Sequence, residues 1–286
     1  MNIKQIITEK SALLRSFGID ASPFELKLML ASILHTEPKF IRPDAELTSQ
    51  QEQELADMLA QRLQHRPVDK IIGRKGFYKY DFAVNDDVLS PRCDSEILVE
   101  TGLNWLQGID APRILELGVG SGCLILSLLS DLPTAMGIGI DISPSALKVA
   151  AQNAELLHIN SSRLKLVPKS WFDADIVSFL LSEGQFDLLI SNPPYIPSSE
   201  IGALDAEVRD YDPLTALDGG ADGLRDYRRI VEIAPLLLKE KAAAVLEAGD
   251  STQLAAIGDM GCAHGLSKVA ALPDLSGQDR CIILKK

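Results

Sequence analysis

From residue 113 to the end of the chain, short apolar segments alternate with segments whose apolar residues recur at helical spacing. This alternation constrains the fold more than any other feature, because strands separated by helices pair in parallel and need helices over both faces of the sheet. We predict an α/β fold with a mostly parallel sheet. The predicted strands are Arg113 to Leu117, Ala135 to Asp141, Leu164 to Val167, Phe186 to Ser191, Ala242 to Glu247, Leu266 to Leu272 and Cys281 to Lys285.

The residues before the sheet predict helices and then a hairpin. Ser22 and Glu25 form a capping-box pattern with Pro23 at the first helical position, and Thr48 with Gln51 offers a second capping box. Aromatic and β-branched residues between positions 73 and 88 predict a β-hairpin. The predicted domains are a helical substrate-docking domain at 1–72, a hairpin connector at 73–90 and the sheet domain at 91–286.

A glycine-rich turn follows the strand that begins at Arg113 and opens the next helix. It reads Glu116-Leu-Gly118-Val-Gly120-Ser-Gly122, and its spacing differs from the G-x-G-x-x-G dinucleotide pattern. Glycines at the mouth of a sheet let a ligand approach the backbone beside a helix N-terminus, although a tight turn without ligand is the alternative. Asp141 ends the next strand, where it could hold a ribose or simply cap the following helix.

A second motif, Asn192-Pro-Pro-Tyr195, ends the strand at Ser191. Two consecutive prolines fix the backbone and remove two donors, so carbonyl groups, the Asn192 side chain and the Tyr195 ring lie in a rigid corner. Acceptors beside an aromatic face suit a planar group that carries an NH2. A plain proline-rich turn is the alternative interpretation.

Composition and charge exclude several classes of protein. The longest uncharged apolar stretch has 14 residues, fewer than the ~20 needed to span a bilayer, and no targeting peptide is recognisable, so we expect a cytoplasmic protein without membrane contact. The four cysteines and four histidines are scattered, which argues against a metal site. The net charge is −12, and residues 1–75 carry 11 basic and 10 acidic residues, so the acidic excess lies in the sheet domain.

These motifs together resemble a class I S-adenosylmethionine-dependent methyltransferase that acts on an exocyclic or amide nitrogen. Residues 91–96, Pro-Arg-Cys-Asp-Ser-Glu, resemble the Pro-Arg-Pro-Asp-Thr-Glu segment of release-factor glutamine methyltransferases of the HemK/PrmC type, with Cys93 in place of the second proline. A second departure is Lys169-Ser170 before Trp171, where that family has Gly-Asp or Ser-Asp. The resemblance covers nearly the whole chain and implies a seven-stranded, Rossmann-like methyltransferase sheet.

The resemblance also implies an activity, a cofactor and a set of site residues. S-adenosyl-L-methionine would donate a methyl group to the N5 amide nitrogen of the Gly-Gly-Gln glutamine in peptide chain release factors, leaving S-adenosyl-L-homocysteine. The chain is expected to act as a monomer and to bind no nucleic acid directly. The implied cofactor residues are Glu116 for the amino end, Gly118, Val119, Gly120, Ser121 and Gly122 along the backbone, Asp141 for the ribose, Trp171 for the adenine, and Asn192. The implied substrate and catalytic residues are Asn192, Pro193, Pro194 and Tyr195, with Arg92 and Glu96 also on the substrate side; for the last two the alternative is a solvated helix start capped by Asp94 or Ser95.

An amide nitrogen is a poor nucleophile because its lone pair is delocalised into the carbonyl. If the Asn192 side-chain oxygen and the Pro193 carbonyl accept the two amide hydrogens, the positive charge that grows on nitrogen is stabilised. No metal or dedicated base is required.

Three other functions remain open. A ribosomal-protein glutamine methyltransferase would use the same chemistry on another partner. A nucleic-acid adenine N6-methyltransferase could use the same corner, but residues 192–226 hold eight acidic and two basic residues, which would repel a phosphate backbone. A non-catalytic binding module would have little use for both motifs together.

Overall fold

The computed structural model describes residues 1–19, 22–274 and 276–286 and divides into two compact units. The first comprises residues 1–74 together with 205–211, and the second comprises residues 75–204 and 212–286. None of the helices among the described residues has the length and apolar character needed to cross a membrane.

The first unit is a small helical bundle. Its helices are α1 (Ile3–Ser16), α2 (Pro23–Ile33), α3 (Ser49–Arg62) and α4 (Val68–Ile72), with a 3-10 turn at Pro38–Phe40 and the later short helix Ala206–Arg209. Thr48 forms the complete capping box with Gln51 that the sequence predicted, whereas at α2 the structure shows the Ser22 half of the predicted box, in which the Ser22 side chain accepts from the Glu25 amide. The core is aliphatic, and Leu14, Leu26 and Leu30 are fully buried in it.

Arg62 is buried in this bundle, and ion pairs explain why it is tolerated there. Its guanidinium lies 3.3 Å from the Glu25 carboxylate and 2.7 Å from that of Glu207. The Tyr211 hydroxyl also donates to the Gln64 carbonyl at 2.7 Å, and the Lys70 ammonium donates to the Tyr211 carbonyl. These contacts explain why residues 205–211 group with the bundle although the sequence places them within the sheet domain.

The second unit contains the remaining elements. A two-stranded sheet is formed by β1 (Arg74–Phe77), which begins at the last residue of the first unit, and β2 (Tyr80–Ala83). The helices are numbered in chain order, so the short helix Ala206–Arg209 of the first unit is α9. Those of the second unit are α5 (Glu96–Trp105), α6 (Cys123–Asp131), α7 (Pro144–Leu156), α8 (Ile176–Glu183), α10 (Leu214–Leu217), α11 (Arg225–Leu237) and α12 (Ser251–Ala263), with 3-10 turns at Cys93–Ser95 and Ile201–Ala203. The remaining strands are β3 (Arg113–Leu117), β4 (Met136–Asp141), β5 (Leu164–Pro168), β6 (Phe186–Ser191), β7 (Leu238–Glu247), β8 (Ser267–Pro273) and β9 (Asp279–Lys285).

The seven later strands form one sheet in the order β5-β4-β3-β6-β7-β9-β8. All neighbouring pairs up to β7 are parallel, and β9 runs antiparallel to both β7 and β8. The predicted mostly parallel sheet is therefore confirmed. From β3 the strand order continues through β4 and β5 to one edge of the sheet, and from β6 it continues through β7 toward the other edge. The switch point, where open α/β sheets bind ligands, therefore lies between β3 and β6.

Each face of the sheet carries its own apolar layer. Leu115 and Leu189 point into the layer formed with α8, α11 and α12, whereas Ile114, Leu188 and Ile190 point into the layer formed with α5 and α6. This alternation follows from the two-residue period of a strand. Every residue of β6 is buried, because both of its faces are covered.

Candidate active site at the carboxyl edge of the sheet

A pocket opens at the carboxyl ends of β3, β4 and β6, at the switch point of the sheet. It is lined by the loops after these strands, by residues 87–92, and by Pro213, Thr215 and Ala216. The lining includes ten of the predicted site residues: Arg92, Glu116, Gly118, Val119, Gly120, Ser121, Asp141, Trp171, Asn192 and Pro194.

The three glycines of the turn all adopt positive φ, at 79°, 53° and 82° for Gly118, Gly120 and Gly122. A Cβ on Gly120 would meet nothing within 4 Å, so the backbone there is open to the pocket. A Cβ on Gly122 would instead lie 2.8 Å from Leu126 and 3.3 Å from Ala150. Gly122 therefore serves helix packing, and it does not line the pocket.

Asp141 supports the glycine turn and the next helix at the same time. Its carboxylate accepts from the Gly120 amide at 2.9 Å and from the Ser143 amide at 2.8 Å, and the Ser143 hydroxyl caps α7. Burial raises the pKa of Asp141. A carboxylate has about four lone-pair positions, so two of them remain for a ligand.

Glu116, the penultimate residue of β3, is 1% exposed. One carboxylate oxygen accepts from the Ile125 amide at 3.1 Å. Burial raises the pKa of this carboxyl well above its usual range, and the nearby Asp141 charge raises it further. A cationic partner would offset both effects.

Trp171 is held in a fixed orientation beside the glycine turn. Its indole N–H donates to Asp226 at 3.0 Å, and the Arg229 guanidinium donates to its carbonyl at 2.9 Å. A Cβ on Gly118 would lie 3.6 Å from the edge of the indole ring. Asp226 was not predicted, because nothing in the local sequence connects the start of α11 with Trp171.

The Asn-Pro-Pro-Tyr corner begins directly after β6. The Asn192 side-chain amide donates to the Ser95 hydroxyl at 3.1 Å, and Pro193 is buried. Gln253 donates to the Tyr195 carbonyl at 2.8 Å. Within the part of the chain that the structure describes, no backbone N–H donates to the Pro193 carbonyl, so this oxygen can still accept.

Four predicted residues lie outside the pocket lining: Glu96, Gly122, Pro193 and Tyr195. The Glu96 carboxylate accepts from the Tyr78 amide at 2.9 Å, in the turn between β1 and β2. Arg92 lies in the lining, with its guanidinium 3.7 Å from the Asp94 carboxylate. Ser95 occupies the N-cap position of α5, but its side chain makes no capping hydrogen bond.

Asn153 is a fully buried residue that sequence reasoning missed. Its side chain donates to the carbonyls of Ser121 and Ala83 at 2.8 and 3.0 Å and accepts from the Ala83 amide at 2.7 Å. It thereby links the glycine turn to β2. An asparagine on an otherwise apolar helix face was the only available signal.

Comparison with known families and curated proteins decides the family. Residues 5–73 match the family described as PrmC N-terminal domain, and residues 110–253 match a methyltransferase domain family. The release factor glutamine methyltransferase of Rhodospirillum rubrum is 39% identical over 277 residues, which cover 96% of this chain and 82% of the relative. The chain belongs to the release factor glutamine methyltransferases. The Caulobacter vibrioides member of this family is also 39% identical, over 94% of this chain and 91% of its own length.

Solved structures support the fold of this release factor glutamine methyltransferase. The catalytic domain of hMettl16 superposes with a TM-score of 0.55 at 16% identity, over 71% of this chain and 74% of that chain. At this identity the likeness concerns the fold alone. The family membership confirms the resemblance seen in the sequence, the predicted class I methyltransferase fold and the assignment as a glutamine methyltransferase, while the roles of individual residues stay predictions.

Proposed function

We propose that the protein transfers a methyl group from S-adenosyl-L-methionine to the side-chain amide nitrogen of the Gly-Gly-Gln glutamine in peptide chain release factors. The observation that carries the proposal is the position of Asn192, which lines the same pocket as the open backbone at Gly120. The names of the relatives support the choice of substrate. The proposal places the protein in the cytoplasm, where release factors act.

The pocket residues fit this cofactor. The open space at Gly120 would admit it along the backbone, and Asp141 has lone pairs left for the two ribose hydroxyls. Glu116 would hold the cationic amino end, directly or through water, which offsets the cost of its burial. Trp171 would pack on the adenine. When bound, S-adenosylmethionine supplies an electrophilic methyl group on a sulfonium.

The corner would activate the glutamine nitrogen. The Asn192 side-chain oxygen and the Pro193 carbonyl would each accept one amide hydrogen, which favours charge development on nitrogen and aims it at the methyl group. Release of a proton can follow the transfer, because an N-alkylated amide cation is strongly acidic. Tyr195 would contribute its ring face, and Arg92 would lie on the substrate side, whereas Glu96, whose carboxylate accepts from the Tyr78 amide outside the pocket lining, would support the β1–β2 turn.

The first test measures methyl transfer by the purified protein from labelled S-adenosylmethionine to a release factor, to ribosomal proteins and to duplex DNA. We expect labelling of the release factor alone. Under single turnover, Asn192→Ala should lower the rate about 10²-fold, the scale for loss of one preorganised polar contact, while Tyr195→Phe should have little effect. A large defect in Tyr195→Phe beside a normal Asn192→Ala would refute the acceptor mechanism, and preferential labelling of DNA would refute the substrate.

The helical bundle would dock the body of the release factor. Phe17, Phe24 and Phe40 are 60%, 59% and 64% exposed there, and exposed aromatic side chains are well suited to bind a protein partner. Phe24→Ser combined with Phe40→Ser should raise KM for the intact factor about tenfold and leave KM for a short Gly-Gly-Gln peptide unchanged. Val269→Ser, at a half-exposed apolar position on the edge strand β8, is the matched control. Equal KM values for the intact factor in the double variant and the wild type would refute docking through these residues.

A further inference from the structure

The last residue of β7 is a buried carboxyl that the proposed mechanism does not use. Glu247 is 1% exposed, and neither carboxylate oxygen has a hydrogen-bond partner at normal geometry among the described residues. An ionised group buried in this way reduces stability unless it is paired. Its presence at the carboxyl edge of the sheet therefore points to a role at the site.

Glu247 lies at the level of the Asn-Pro-Pro-Tyr corner. β7 pairs with β6 in parallel, and Leu246 is opposite Ser191, so Glu247 and Asn192 follow at corresponding positions. The Ser95 hydroxyl is near both side chains. It accepts from the Asn192 amide at 3.1 Å, and it is close enough to Glu247 to lower the pKa of that carboxyl, although at a geometry short of a hydrogen bond.

The groups around Glu247 leave its acceptor capacity available to Ser95. The Arg280 guanidinium, which also lowers the pKa of Glu247, donates to the backbone carbonyls of Ala248 and Gly249. Burial is the larger effect and raises the pKa of Glu247 to about 7. The titratable and charged groups that face it are Arg92, Asp94, Cys123, Tyr195, Tyr227, Arg280 and Cys281.

The Ser95 hydroxyl proton decides which way the Asn192 amide points. Because Ser95 oxygen accepts from the Asn192 NH2 group, its own proton must go to another acceptor. If that proton pointed at Asn192, the amide would turn over to accept it through its oxygen. Its NH2 group would then face the substrate, where the proposed mechanism needs the Asn192 side-chain oxygen. The Glu247 carboxylate is an acceptor near Ser95, and its oxygens have no hydrogen-bond partner among the described residues.

We propose that Glu247 and Ser95 are positioning residues: Glu247 accepts the Ser95 proton, Ser95 accepts from the Asn192 NH2 group, and the Asn192 side-chain oxygen is thereby fixed toward the glutamine amide. This inference rests on the proposed function and explains how the acceptor is oriented. Glu247 acts only through Ser95, and Ser95 only through Asn192.

The kinetic test compares four variants under single turnover with saturating cofactor and release factor. Ser95→Ala and Glu247→Leu should each lower the rate at least tenfold, with cofactor affinity unchanged. The double variant should be no slower than Ser95→Ala, because Glu247 acts through the hydroxyl that Ser95→Ala removes. Glu247→Gln keeps an acceptor oxygen, so it should retain most of the wild-type rate.

The pH dependence separates positioning from a merely structural role. The wild-type rate should fall as pH drops below about 7, where Glu247 becomes protonated and would donate to Ser95, whereas the rate of Glu247→Gln should lack this step. Asp187→Asn is the matched control, since Asp187 is a buried carboxylate at the opposite end of β6. That variant should keep both the wild-type rate and its pH profile.

A second measurement does not depend on the methyl acceptor. In protein with 15N-labelled asparagine, the side-chain NH2 signals of Asn192, assigned by their absence from Asn192→Ala, should exchange slowly with solvent in the wild type and in Glu247→Gln. They should exchange at least tenfold faster in Ser95→Ala and Glu247→Leu. Unchanged exchange in these two folded variants, or additive rate losses in the double variant, would overturn the inference. Slow exchange in a wild type that does not methylate a release factor would instead refute only the proposed function.

Discussion

Two glycines of the same turn are expected to respond to alanine in opposite ways. Gly122→Ala places a Cβ 2.8 Å from Leu126 and 3.3 Å from Ala150 at a φ of 82°. A left-handed backbone costs about 1 kcal/mol for alanine, and overpacking adds about 1–3 kcal/mol, so the free energy of unfolding should fall by about 2–4 kcal/mol. At Gly120 the φ is 53° and a Cβ would meet no atom within 4 Å, so the free energy of unfolding of Gly120→Ala should fall by only about 1 kcal/mol.

Ligand binding should show the reverse order. A methyl group on Gly120 would occupy the open space of the pocket, so the affinity for S-adenosylmethionine should fall about tenfold or more. Folded Gly122→Ala should bind almost normally, because its Cβ points toward α6 and α7. Urea denaturation and calorimetric titration on both variants check this. Equal stability losses, or normal cofactor affinity in Gly120→Ala, would refute the assignment of one glycine to the ligand and the other to packing.

Three further perturbations test other parts of the chain. Arg62→Met removes both ion pairs of a buried guanidinium. Because its two glutamate partners are partly exposed, the free energy of unfolding measured by urea denaturation should fall by about 2 kcal/mol, compared with less than about 1 kcal/mol for Glu207→Gln. Asp141→Ala should weaken S-adenosylmethionine binding by about 2–3 kcal/mol in calorimetric titration and lower the free energy of unfolding by about 1–2 kcal/mol, because the Gly120 and Ser143 amides lose their acceptor; unchanged affinity would remove Asp141 from the site. Glu247 has a pKa of about 7 in the folded protein, so the folded state binds more protons than the unfolded state between about pH 4.5 and 7. As pH rises through that range, the free energy of unfolding of the wild type should fall by about 3 kcal/mol relative to that of Glu247→Gln. Parallel curves of unfolding free energy against pH would contradict this.

The sequence predicted the parts of the fold that rest on local periodicity. β3 and β6 have the bounds expected from their apolar runs, since a strand covered on both faces is apolar throughout. α5 was named in the sequence only as an alternative helix start after Asp94 or Ser95, and β7 begins four residues earlier than expected, at Leu238. The chain passes from α11 into β7 without a turn residue, so no local signal marks this boundary.

The candidate site was predicted where it depends on motifs and missed where it depends on tertiary contacts. Asn192 and Asp141 stand at strand ends, so topology alone brings them to one edge. Ser95 lies 97 positions from Asn192, and Asp226 lies 55 positions from Trp171, so no spacing rule connects either pair. Both pairs were found only through the folded arrangement, as was the buried carboxyl of Glu247.

Two carboxyl groups of the pocket favour a positively charged ligand. Glu116 and Asp141 both line the pocket, and burial raises the pKa of each, so ionising them without a cationic partner is costly. If S-adenosylmethionine binds here as proposed, it brings a sulfonium and an ammonium, whereas the product has lost the sulfonium charge, so the same carboxylates should attract the donor more strongly than the product.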